Sequence, residues 1–119
     1  MTDRELLELA SKAAGIKGFR YVNNEPIQGG YRTGLWSDLY EDCWNPLTDD
    51  GDALRLAVKL SMNVVVKTLP HSIYVEAYNW QAPAVVETLA DVRGKDFDPY
   101  SATRRAITRA AAEIGRNMK

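Results

Sequence analysis

The segment WNPLTDDGDALRLAVKL, residues 44–60, constrains the fold more than any other, because a turn, a cap and an amphipathic helix follow one another in it. Asn45-Pro46 marks the turn, Thr48 is placed to cap the helix, and Asp49, Asp50 and Asp52 fill its first turn, where negative charge meets the positive end of the helix dipole. Leu54, Ala57, Val58 and Met62 recur at the i, i+3, i+4 spacing of a buried stripe, which Leu56 and Leu60 widen. Arg55 and Lys59 fall on the solvent side. Three aspartates also have the chemistry of a divalent-cation site, but they lack the alternating spacing and distal glutamate of a calcium loop, which favours the capping role.

The remaining elements are placed around this helix. Residues 2–14 carry Leu6, Leu7, Leu9, Ala10 and Ala13 among charged residues, a first helix capped by Thr2 and ended by Gly15 or Gly18. Phe19 to Val22 reads as a short strand, stopped at once by Asn23-Asn24-Glu25-Pro26. Residues 24–43 show no clear period and are expected as an irregular aromatic loop, with one helical turn at 37–43. Residues 63–69, 72–78 and 84–89 read as three successive strands, and their short connections imply an antiparallel meander. Both faces carry apolar side chains, which favours a sheet covered by helices on each side. The last helix, residues 100–118, is capped by Asp98 or Ser101, and Ala106 or Ile107, Ala110, Ala111, Ile114 and Met118 form a narrow seam of small residues that lets a neighbour come close. That seam suits a core or a homodimer equally. At 119 residues the chain fits a single α+β domain, 1–119.

Composition excludes more functions than it suggests. A net charge of -1 and a pI near 5.8 argue against general affinity for nucleic acid. A single cysteine, Cys43, allows no internal disulfide, residues 1–10 lack the apolar core of a signal peptide, and no apolar run approaches the roughly 20 residues that cross a bilayer. A soluble cytoplasmic protein is the expectation. His71 is the only histidine, so every histidine-based nucleophilic set would need it, yet it follows Pro70 between two strands, as a turn residue does. One cysteine and one histidine make no zinc set without carboxylates. Gly29, Gly30 and Gly34 match no phosphate-binding motif. No catalytic residue, metal ligand or cofactor is nominated, and the chain reads as a non-enzyme.

Two surfaces are left as candidates for partner binding. The first is the aromatic and acidic stretch with Tyr31, Trp36, Asp38, Tyr40, Glu41 and Asp42, whose aromatic residues either form a recognition surface or fold back over one end of the core. The second is the C-terminal helix. From position 100 onward five cations stand against Glu113 alone, a formal +4 that leaves -5 for the remainder. Arg105, Arg109 and Arg116 fall roughly along one side; they either grip an acidic partner or nucleic acid, or pair with carboxylates of the same chain.

Two segments, WNPLTDDGDALRLAVKL at 44–60 and DPYSATRRAITRAAAEIGRNM at 98–118, resemble the phage ABA sandwich domain family. The resemblance covers about a third of the chain. It implies an α-β-α sandwich, a mainly antiparallel three- to four-stranded sheet with helices on both faces, and a phage or prophage origin. No catalytic motif comes with it. Small size, the phage-like resemblance, the split charge and the absent catalytic chemistry together lead to the expectation of an accessory protein that binds and modulates a host protein, such as an anti-CRISPR or other anti-defence inhibitor. The alternatives are a nucleotide sponge, with aromatic residues stacking and arginines holding phosphate, and a nucleic-acid binder using the basic helix.

Overall fold

Small side chains let helices touch, and the C-terminal helix is made of them. The computed structural model describes residues 1–39, 41–70, 72–89 and 98–118. Tyr40, His71, residues 90–97 and Lys119 lie outside the described residues, and with them the binding role read from sequence for Tyr40 and the turn role read for His71. The elements in chain order are α1 (Asp3–Ala14), β1 (Arg20–Ile27), β2 (Gly30–Ser37), β3 (Asp42–Trp44), α2 (Asp50–Lys59), β4 (Asn63–Thr68), β5 (Ile73–Asn79), β6 (Ala82–Leu89) and α3 (Pro99–Arg116). They form an α+β fold with two antiparallel three-stranded sheets, ordered β1-β2-β3 and β4-β5-β6. No helix among the described residues is long and apolar enough to cross a membrane.

α3 is the hub of the core. It packs against α1, α2, β5 and β6, and its Ala106, Ala110 and Ala111 are fully buried. The closest approach is at Gly115, where a β-carbon would stand 1.9 Å from the Leu9 carbonyl oxygen of α1. The seam therefore serves the intramolecular core; Met118, counted in it from sequence, lies past the helix end and is exposed. Asp98 caps α3, its carboxylate accepting from the backbone N–H groups of Tyr100 and Ser101. α1 begins at Thr2, whose hydroxyl accepts from Glu5 N, and ends at Gly15 in the left-handed conformation that glycine adopts without strain.

The start of α2 differs in detail from expectation. Asp49, not Thr48, is the cap: its side chain accepts from Asp52 N at 2.8 Å. Thr48 is one residue too early, its hydroxyl reaching back to Asn45 O. Asp52 is buried and accepts from Asn45 N at 2.9 Å and from Arg55. Asn45 also donates from Nδ2 to Thr33 O, and its Oδ1 accepts from Leu47 N. This buried polar clip ties α2 to β2, and Gly34 makes room for it, since a β-carbon there would lie 2.8 Å from Trp44 O and 2.9 Å from Asn45 Cβ. The buried stripe of α2 is Ala53, Leu56 and Ala57. Leu54 and Val58, expected inside, are 65% and 71% exposed. Apolar residues cover so wide an arc of this helix that periodicity alone points to two adjacent faces, and α3 takes only one of them.

The three predicted strands are present and pair antiparallel as β4, β5 and β6. Burial alternates along β5: Ile73, Val75 and Ala77 face the core, and Tyr74, Glu76 and Tyr78 are half-buried on the other face. Asn79 joins this sheet to the end of α2, donating to Leu60 O at 2.8 Å while accepting from Gln81 N.

The expected irregular loop at 24–43 is instead most of a second sheet. β1 continues through Asn23-Asn24-Glu25-Pro26 to Ile27, and β2 returns at Gly30 after a two-residue turn at Gln28 and Gly29. Two devices absorb the strand-breaking residues. The register shifts between Val22 and Glu25, with Asn24 at φ 51°, and Pro26 lies in a strand at the sheet edge, where a missing N–H costs no ladder bond. In place of a helical turn at 37–43, the chain turns and enters β3.

Candidate functional site

The β1-β2-β3 sheet carries the first nominated set. Its core side supplies Leu35 and Trp44, with Tyr21 packed alongside. Trp44 thus does what the aromatic residues of this stretch can do for a core, and Trp36 does something else. Strand alternation turns Trp36 outward with Arg20, its register partner, and with Arg32. The Arg32 guanidinium stacks 3.5 Å over the Trp36 ring and donates to Glu25 at 2.7 Å. Trp36 Nε1 donates to Asp38 Oδ1 at 2.7 Å, and Arg20 reaches the other Asp38 oxygen at 3.4 Å. Those two donors, Trp36 first and Arg20 second, hold the Asp38 carboxyl below the usual aspartate range. Nearby, burial pushes the Cys43 thiol up, against the opposing field of Arg32, so the thiolate that reactive cysteines need is disfavoured.

Beyond this braced cluster the hairpin end of the sheet is solvent-facing. Residues 23–31 are exposed except for half-buried Glu25, and Tyr31, at the far end of β2, is 73% exposed. At the other end Asp38, Glu41 and Asp42 are exposed around Leu39, itself 81% exposed. Tyr31 and the carboxylates thus lie toward opposite ends of β2.

The arginines of α3 are occupied. Arg109 is paired with Glu87 and donates to Val86 O. Arg105 reaches Asp3 at 3.4 Å and Glu87 at 3.9 Å, and Arg116 reaches Glu113 at 3.7 Å. Arg104 bonds Leu47 O, Asp50 and Asp98. Arg105 and Arg109 border a hollow of about 650 Å³ with Met1, Leu6 and Glu87, whose carboxylate neutralises the charge a phosphate would need. Trp36 stacks on an arginine of its own sheet, so the aromatic and helical-arginine sets are not brought together as a nucleotide site would require. The aspartates of the 49–52 cluster are likewise engaged within the fold: Asp49 caps α2, Asp50 pairs with Arg104, and Asp52 is the buried acceptor for Asn45.

Sequence reasoning missed a third surface. Leu54, Val58, Val66 and Tyr100 are exposed, and Leu54 and Tyr100 line an apolar hollow of about 310 Å³ with Ala57, Val64 and Ile107. The available signal was the surplus of apolar residues on α2, six between Ala53 and Leu60. No family model, curated protein or solved structure matches this chain.

Proposed function

We propose that this chain is a non-enzymatic phage accessory protein that binds and modulates a host protein, acting against a defence system in the manner of an anti-CRISPR. The observation that carries the binding role is the β1-β2-β3 sheet: its three strands make up about a sixth of the chain, and the β1-β2 hairpin end stands outside the core, yet is braced by a stacked Arg32–Trp36 pair and its carboxylate partners. A two-stranded ribbon in water is marginal by itself. Bracing a hairpin whose residues 23–31 stand outside the core favours recognition, because a preorganised surface loses less entropy on docking. Asp38, Glu41 and Asp42 set negative charge around the exposed Leu39, a combination suited to a basic host surface with an apolar recess. The phage assignment comes from the resemblance of residues 44–60 and 98–118 to the phage ABA sandwich domain family.

Affinity capture from a bacterial lysate tests the reading, with wild type beside the double reversal Glu41→Lys, Asp42→Lys and a control on the exposed β5–β6 turn, Gln81→Glu. The expected result is one partner retained by wild type and the control, lost by the reversal, and released as salt rises. Plaque formation on a host with active CRISPR immunity should depend on the same two carboxylates. Capture indifferent to the reversal, or no partner together with no change in plaque formation, overturns the proposal.

A further inference from the structure

We propose that the outer edge of β4 pairs with β4 of a second copy of this chain, the strands running antiparallel about a two-fold axis at Val66, independently of the docking ribbon. β4 and β6 are the two edges of their sheet, and they are treated differently. β6 carries Pro83, a register irregularity near its start, and Arg109 bound to Val86 O, all of which obstruct an added strand. β4, Asn63-Val64-Val65-Val66-Lys67-Thr68, has an unbroken register, no proline, and no strand beyond it among the described residues.

The direction of its free groups follows from one bond. Leu69 N donates to Ser72 O at 2.8 Å, so Leu69 points its backbone toward β5. Alternation in an antiparallel ladder then points Lys67, Val65 and Asn63 inward as well, and leaves the N–H and C=O of Val64, Val66 and Thr68 outward. The side chains of the same three residues lie on the helix-covered face, opposite Ala77, Val75 and Ile73. Val66 is 49% exposed there, and Val64 opens into the apolar hollow beside Leu54. Free backbone groups and bare apolar surface thus occur together along one edge, and a strand that brings its own apolar face satisfies both.

A second copy fits this edge in register. With Val66 opposite its equivalent, Val64 stands opposite Thr68 of the second copy, and three outward-facing pairs form about six hydrogen bonds. On the other face Val65 stands opposite Lys67 of the second copy, so no like charges meet. Glu76 neighbours Val65 on β5, two strand spacings or about 10 Å from the second copy's Lys67, a gap that the two side chains span. Valine and threonine suit the paired positions, being β-branched.

Sedimentation velocity on the full chain should give a concentration-dependent species of twice the 13.3 kDa chain mass. Val66→Pro removes an outward N–H while sparing the β5 ladder, and should give a folded monomer by circular dichroism. In a Cys43→Ser background, Val66→Cys should oxidise to a disulfide-linked dimer, because equivalent Cα atoms in a hydrogen-bonded pair lie about 5.5 Å apart. Val65→Cys should not. A wild type that stays monomeric into the millimolar range overturns the proposal. A dimer that survives Val66→Pro, or cross-links equally through Val65→Cys, overturns the register.

Discussion

Gly115→Ala is the sharpest test of how the core is closed. An alanine β-carbon would stand 1.9 Å from Leu9 O and 2.8 Å from the Leu9 carbonyl carbon. Carbon and carbonyl oxygen approach no closer than about 3.3 Å, so α1 and α3 must part by about 1.4 Å at this point. Both atoms met are backbone, so no rotamer change relieves the clash. A gap of 0.5–1 Å already forfeits about a quarter to a half of a dispersion well, and here it opens a seam that includes Leu7, Ala10, Ala110 and Ala111. Overpacking typically costs about 1–3 kcal/mol and occasionally more, and a close backbone approach belongs at the upper end. Alanine's better helix propensity returns up to about 1 kcal/mol. The net loss is about 2–3 kcal/mol, a fall in Tm of about 8–12 °C for a chain of this size. Differential scanning calorimetry reads it directly. Gly51→Ala is the control, because its nearest neighbours are the ends of Arg55 and Asp49 side chains, at 3.1 and 3.2 Å, which can swing aside. Gly51→Ala should leave Tm level or raise it. If Gly115→Ala also leaves Tm level or raises it, the two helices do not meet at Gly115 and the close-packed seam is refuted.

Two further outcomes follow from the polar contacts. Asn45→Ala strands Leu47 N and leaves Thr33 O only the weak Cys43 thiol donor, and should cost about 2 kcal/mol in urea unfolding; a loss under about 0.5 kcal/mol would mean that the clip between α2 and β2 does not stabilise the fold. Asp38 has a lowered pKa in the folded protein, so its favourable contact is complete above the unfolded value, about 3.9, and is lost as pH falls through the folded value. The Trp36 indole N–H resonance, followed by NMR, should therefore shift only below that pH, and a midpoint at or above it would contradict the Trp36–Asp38 bond.

Legibility follows the strength of local signals. Thr2, Gly15 and Asp98 mark helix ends by side-chain oxygen or left-handed glycine, chemistry that needs no tertiary partner, and all three act as read. β4 to β6 are visible because valine-rich alternation is a property of each strand alone. The ribbon is not, because Asn23, Asn24 and Pro26 oppose a strand locally, and only a bulge and an edge position make them tolerable. α2 misleads differently: its apolar arc fits either Leu54 and Val58 or Ala53, Leu56 and Ala57 as the inner face, and the position of α3 decides. Of the nominated binding residues, the arginines read equally as partner-seeking or self-paired; Glu113 stands at i,i+3 from Arg116 in the sequence, but only the folded chain puts Asp3 and Glu87 beside Arg105 and Arg109. Pairing across the fold has no sequence period.

The hub position of α3 also sets when the chain can fold. Its partners arrive early: Arg105 meets Asp3 across 102 positions, and Lys12 reaches Met118 O across 106. α1 emerges from the ribosome with Leu6, Leu7 and Ala10 uncovered, and its main packing partner, residues 99–116, is made last of the elements. Long loops must close before those contacts form, and closures of that kind slow folding. Synthesis and folding are thus separated in time, and a chain interrupted before Pro99 would hold two sheets and two helices with their apolar faces still wet.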